Sequence, residues 1–165
     1  MGRAPRGRRA QAGVCDRGEF RLVHYSIQAD HVHALVEAAS RDALSRGMKA
    51  LGSRLARATN RVFRRRGPVL AARFHLRILR TPREVRNALA YALLNARRHA
   101  AKLGRTLAAF PAIDPASSGA WFDGWSDRAP RPPERASPVA VARTWLLRIG
   151  WRRHGLIDPA EIPGR

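Results

Sequence analysis

Residues 20–38 read FRLVHYSIQADHVHALVEA, and the reading of this stretch decides the fold. Phe20 to Ile27 is rich in aromatic and β-branched residues and predicts a strand. Gln28-Ala29-Asp30 predicts a turn, and His31 to Glu37 a second strand, so the two should form an antiparallel hairpin. His31 and His33 lie one residue apart, and alternate side chains leave a strand on the same face. Both imidazoles should therefore point one way, while Val32, Ala34 and Val36 point into a core and Val32 anchors the strand. Paired imidazoles on an apolar strand are a donor pattern for a metal. The plainer reading is a pair of surface or internally satisfied histidines.

Outward from the hairpin, Ser40 to Arg65 predicts a helix, with Leu44, Met48, Leu51, Leu55, Ala58 and Val62 at helical spacing. Arg54, Arg57, Arg61 and Arg64 fall on its outer face, and Arg65-Arg66-Gly67-Pro68 stops it. Val69 to Arg80 alternates Leu70, Ala72, Phe74, Leu76 and Ile78 with Arg73, His75 and Arg77, the pattern of a half-buried strand with a basic outer face. Thr81-Pro82-Arg83-Glu84 opens a further helix with a capping threonine, a first-turn proline and a glutamate three residues after the cap. Val85, Leu89, Ala92, Leu93 and Ala96 form its core stripe, and Gly104 stops it. Residues 108–136 read as an irregular linker packed through Trp121 and Trp125. Ser137-Pro138 should cap a last helix that runs to about His154 and ends at Gly155. His24 should face solvent or the sheet edge, and Trp145 and Trp151 should pack.

These elements predict an α+β fold divided into a basic flexible arm (1–19), a folded domain (20–105), and a linker with a C-terminal helical extension (106–165). The 165 residues suffice for one domain with a real core. No window is long and apolar enough to span a membrane, and the basic N-terminus lacks the apolar run of a secretory signal. The single cysteine, Cys15, excludes an internal disulfide and makes the cytoplasm the default location.

Thirty-two basic residues against twelve acidic give a net charge of +20. From Arg54 to Arg105 there are fifteen basic residues and one acid, Glu84. An arginine preference over lysine is what a GC-rich genome produces, but the absence of acids from one stretch is not. Such a field suits a polyanion, and the guanidinium fork suits phosphate. Arg54, Arg57, Arg61, Arg73, His75, Arg77 and Arg98 are the candidate nucleic-acid contacts.

Tyr91 and Asn95 sit four apart on the helix after the third strand and should share a face. If that helix crosses the sheet, both hang over His31 and His33. Two imidazoles and an amide oxygen make three ligands with open positions, as a catalytic metal needs. Imidazole with oxygen suits Mn²⁺, Zn²⁺ or Fe²⁺, and Mg²⁺ where substrate phosphate contributes. A tyrosine beside such a metal is a candidate nucleophile on phosphorus. The plainer reading of Tyr91 is a core-edge aromatic.

FRLVHYSIQADHVHALVEA, followed by GPVLAARFHLRILRTPREVRNALAYALLNARRH, resembles the HUH single-tyrosine transposases, and within them the REP-associated, IS-200-like branch. The tail ARTWLLRIGWRRHGLIDPAEIPG is similar to C-terminal extensions in that branch. The resemblance implies a ferredoxin-like or RRM-like antiparallel sheet with helices on one face. It implies Mg²⁺- or Mn²⁺-dependent cleavage and rejoining of single-stranded or hairpin DNA in the bacterial cytoplasm, at the nucleoid. By position, His31, His33 and Asn95 match the metal ligands and Tyr91 the nucleophile that forms a 5′-phosphotyrosine link. Relatives include monomers and homodimers. Family members also begin with a strand and a helix that have no counterpart before Phe20, so an N-terminal truncation is expected. Two competing readings follow: a catalytically inactive remnant that only binds nucleic acid, and a structural zinc site on His31, His33 and Cys15, which lacks a fourth ligand.

Overall fold

The structure, a computed structural model, describes residues 18–71, 74–104, 106, 111–126 and 133–164. The arm expected over residues 1–19 lies almost wholly outside the described residues, as do Cys15, Ala72 and Arg73.

The fold is α+β. Strands β1 (Phe20–Ile27) and β2 (Val32–Ala38) pair antiparallel, from Phe20 opposite Ala38 to Ile27 opposite Val32. The register shifts between Leu22 and His24, a bulge at Val23. Opposed residues share a face, so His31, His33, Leu35 and Glu37 lie with Ser26, His24 and Arg21. This corrects one expectation. The histidine face is the one that carries Leu35 into the main core, whereas Val32 on the other face is exposed.

Helix α1 (Arg41–Val62) starts at Ser40, whose hydroxyl accepts from the Ala43 N–H at 3.1 Å. It covers the face opposite the histidines. The Phe20 ring fills the space that a side chain at Gly47 would need, so a backbone without Cβ is required there. Only Ala43 and Gly47 of this helix are buried.

Helix α2 (Pro82–Leu93) opens on the expected capping box. Thr81 Oγ1 accepts from the Glu84 N–H at 3.2 Å, and Glu84 Oε2 accepts from the Thr81 N–H at 3.1 Å. The Arg80 amide, which donates to Glu84 Oε2 at 2.8 Å, and then the Thr81 amide hold the Glu84 carboxyl below the usual range. A single helix to Gly104 was expected, but it breaks at Leu94, and α3 (Asn95–Lys102) follows. Ala92, Leu93, Leu94 and Asn95 are all buried. Four consecutive residues cannot lie on one stripe of a regular helix, so the axis shifts where all four go inside. Gly104, with φ of 63°, ends α3 as expected.

The core joins Leu35 to Val85, Leu89, Ala90, Leu93 and Leu94 of the helices and to Phe122, Trp151 and Ile157 of the C-terminal region. With α1 on one side of the hairpin and α2 on the other, the helices lie on both faces, not on one as expected.

Two further expectations are corrected. The described residues of 69–80 form no strand, and among the described residues the sheet has two strands. Leu70, Phe74, Leu76 and Ile78 are exposed, because their alternation has no partner strand to pack beside. One edge of the hairpin is taken elsewhere. Ile27 N–H donates to Ala116 O, Ser26 bridges Ser117, and Ala140 N–H donates to Leu22 O. The expected helix from Ser137 to His154 is also absent. Helix α4 spans only Trp145–Arg148, followed by a 3₁₀ turn over Gly150–His154. The amides of Arg143 and Thr144 donate to the Glu37 carboxylate at 2.8–3.1 Å, and that of Ala140 to Leu22. Those N–H groups are unavailable to a helix, and Gly155 ends the turn as expected.

Candidate active site

The hairpin end and α2 bring His31, His33 and Tyr91 together. His31 Nε2 and His33 Nε2 are 3.0 Å apart. His31 Nδ1 lies 2.6 Å from the Asp30 carboxylate, which orders that ring with Nδ1 as donor and Nε2 free to act as an acceptor. The same bond, with the His31 charge, holds the Asp30 carboxyl below the usual range. Burial pushes the His33 imidazole down, and the positive character of His31, His99 and Arg98 adds to this. A neutral imidazole is the form that ligates a metal.

The His33 and Tyr91 rings meet edge to face at 4.9 Å. Arg98, one turn beyond the helix break, lies 4.9 Å over the Tyr91 ring with a guanidinium nitrogen 3.4 Å from its hydroxyl. His99 stands 6.4 Å from the His31 ring.

Asn95 is fully buried, and neither amide atom has a hydrogen-bond partner. A buried primary amide without partners costs several kcal/mol, of order 1–3 per group, so its carbonyl is an uncommitted oxygen donor. Two converging ring nitrogens are donors of the type a divalent cation takes, and the Asn95 amide oxygen on the next helix is a further uncommitted donor. Among the described residues no group of three His, Cys, Asp or Glu side chains is placed to hold a metal.

The other candidates are dispersed. Arg57 and Arg61 are exposed and Arg54 half-buried on α1, against the other face of the hairpin. His75 and Arg77 are exposed on the irregular segment before α2, where Arg77 pairs with Glu84 at 3.7 Å. Arg73 lies outside the described residues. Of the six basic candidates among the described residues, Arg98 is the one seated at Tyr91. Asp30 was read only as a turn residue; its position directly before the histidine pair was the signal for its orienting role.

His24 does not face solvent. It packs edge-on against Phe122 at 5.1 Å with Nδ1 3.1 Å from Ser118 Oγ, and burial lowers its pKa to about 4. Trp151 packs as expected, while Trp145 is half exposed.

Residues 4–75 match the family model described as Transposase IS200 like, so this part of the chain is similar to the IS200-like transposases. The match spans His31, His33 and His75 and stops short of Tyr91 and Asn95. No curated protein and no solved structure matches. No helix among the described residues is long and apolar enough to cross a membrane.

Proposed function

We propose that this chain, which is similar to IS200-like transposases over residues 4–75, cuts and rejoins single-stranded DNA with Tyr91 as nucleophile. The observation that carries the reading is the convergence of His31 and His33 Nε2 at 3.0 Å, with Tyr91 against His33.

In this mechanism His31, His33 and Asn95 hold one divalent cation, Mg²⁺ or Mn²⁺, which would supply Lewis-acid polarisation of the scissile phosphodiester. Asp30 keeps the His31 ring turned so that Nε2 faces the site. The Tyr91 hydroxyl gives up its proton to solvent, which returns one to the leaving 3′-oxygen, and the Tyr91 oxygen forms a bond to phosphorus. The bond from phosphorus to the 3′-oxygen breaks, and that oxygen takes a proton to become a free 3′-hydroxyl. The 5′-phosphate remains on Tyr91, and attack by a 3′-hydroxyl reverses the step and transfers the strand. Arg98 sits where it can stabilise negative charge on the phenolate or the phosphate. A single strand, or the single-stranded flank of a hairpin, suits a nucleophile that must reach in line with one phosphate.

The test is a denaturing gel with DNA labelled on the 3′ side of the cut and Mn²⁺ present. A covalent adduct is expected from the native chain and none from Tyr91→Phe, which keeps the ring and so should still bind DNA. Equal adduct from both would exclude Tyr91. A chain that binds DNA steeply with salt but never forms an adduct would favour the binding-only reading.

A further inference from the structure

A second concave site lies beside the catalytic one. Ile113, Asp114, Pro115, Ser117, Trp121 and Arg135 line a surface pocket of about 260 Å³. Its position follows from the sheet. His33 pairs with Ser26, and Ser26 bridges Ser117 on its other side. Ser117 is therefore two strand spacings from His33, about 10 Å across the backbone. The same corner is stitched by Ile27 N–H to Ala116 O and by Asp114 Oδ1, which accepts from the Ala116 N–H at 2.8 Å.

The lining has the chemistry of a base-binding site. Trp121 is half-buried at the end of a 3₁₀ turn (Ser118–Trp121), and its indole N–H donates to Arg135 O at 3.2 Å, which fixes the ring. The Arg135 guanidinium lies 4.7 Å over that ring, and Arg135 is exposed. An aromatic stacked with arginine is a platform on which bases of a single strand pack, and the guanidinium can also meet the backbone phosphate. The core has no call on this indole, unlike Trp125, which packs against Phe122, or Trp151 inside the cluster. Among the described residues Asp114 Oδ2 has two long contacts, to Ser26 Oγ and Gln28 Nε2 at 3.5 Å each. It keeps acceptor capacity facing the pocket, and a carboxylate accepts from an exocyclic amino group such as cytosine N4.

We propose that the Trp121–Arg135 pocket holds one unpaired base of the DNA strand being cut, with preference for a base that carries an exocyclic amino group. The pocket lies in the part of the chain beyond the family match. The inference rests on the single-stranded DNA reading and supplies it with a flanking subsite, so that the scissile phosphate is placed by a base held about 10 Å from His33.

The test uses the full chain and single-stranded oligonucleotides carrying 5-iodocytosine at successive positions around the cut. Irradiation should crosslink Trp121 from one such position, and peptide mass analysis should find it. Trp121→Ala should weaken binding roughly ten- to hundredfold, and Trp121→Phe should restore most of it. Arg135→Ala, on an exposed side chain, should weaken it several-fold more than Arg148→Ala, a charge control on α4. Thymine in place of cytosine at the crosslinked position should bind several-fold less tightly. Crosslinks confined to other residues, or native affinity in Trp121→Ala, would overturn the proposal, and equal binding of cytosine and thymine would overturn the role of Asp114. The adduct gel run in parallel separates the two readings. Adduct without a Trp121 crosslink sinks the pocket alone, while a Trp121 crosslink without adduct sinks the cutting reaction alone. Absence of DNA binding sinks both.

Discussion

Two stretches of this chain carry equally regular hydrophobic patterns and meet opposite fates. Along β2 and α2, Leu35, Val85, Leu89 and Leu93 are buried, and the C-terminal region closes over them with Phe122, Trp151 and Ile157. Along residues 69–80, Leu70, Phe74, Leu76 and Ile78 alternate just as cleanly and stay exposed, beside Val62 and Phe63 at the end of α1. The difference is the neighbour. One edge of the hairpin is occupied by residues 116–118 and 140, and none of the described residues adds a strand along β2. An alternating pattern states which face wants burial; it cannot supply the strand that provides it.

Substitutions should break this symmetry in stability measurements. Trp151→Ala should cost about 3–5 kcal/mol, because the ring is buried among Phe122 and α2. A denaturant midpoint close to native would show that the C-terminal region is not part of the cooperative core. Glu37→Ala should cost about 3 kcal/mol. It removes the carboxylate that accepts from the Arg143 and Thr144 amides and that lies 3.8 Å from buried Arg21. A loss confined to fraying of residues 137–164, seen by proteolysis, would put the clasp outside the global unfolding unit.

Acid should act on the same half through His24. Its folded-state pKa of about 4 lies below the ordinary 6.5, so between those values the unfolded chain binds the proton and the folded chain does not. Stability is then full above about pH 6.5 and falls as pH drops toward 4, by about 3 kcal/mol in all. His24→Gln should flatten that slope, and an unchanged slope would assign it to other groups. Thr81→Ala should cost about 1 kcal/mol through the lost cap. At the small end, Leu76→Ala in the exposed segment should change stability by less than about 0.5 kcal/mol. A larger loss would mean that residues 69–80 are packed in solution.

Much of the fastened half was legible from local pattern. The hairpin, the Ser40 cap, the Thr81–Glu84 capping box and the Gly104 stop each need only a few adjacent residues, and each is present. What was not legible depends on distant partners. The helix expected from Ser137 gives way because Glu37, more than a hundred residues earlier, takes its amides. The histidine face was assigned the wrong neighbours because the identity of the buried face depends on which side α2 covers. At the site, the spacing of His31 and His33 foretold their convergence. The break at Leu94, which sends Asn95 fully inside, required knowledge that four successive residues enter the core.

The central claim is that the fastened half ends in a metal site built from His31, His33 and Asn95. Calorimetric titration of the chain with Mn²⁺ tests it most directly. The account predicts one binding event in the native protein, reduced at least tenfold in affinity by His31→Ala and by His33→Ala and weakened by Asn95→Ala, with a thermal melt to show that each variant is folded. Native affinity in folded His31→Ala and His33→Ala proteins would contradict it.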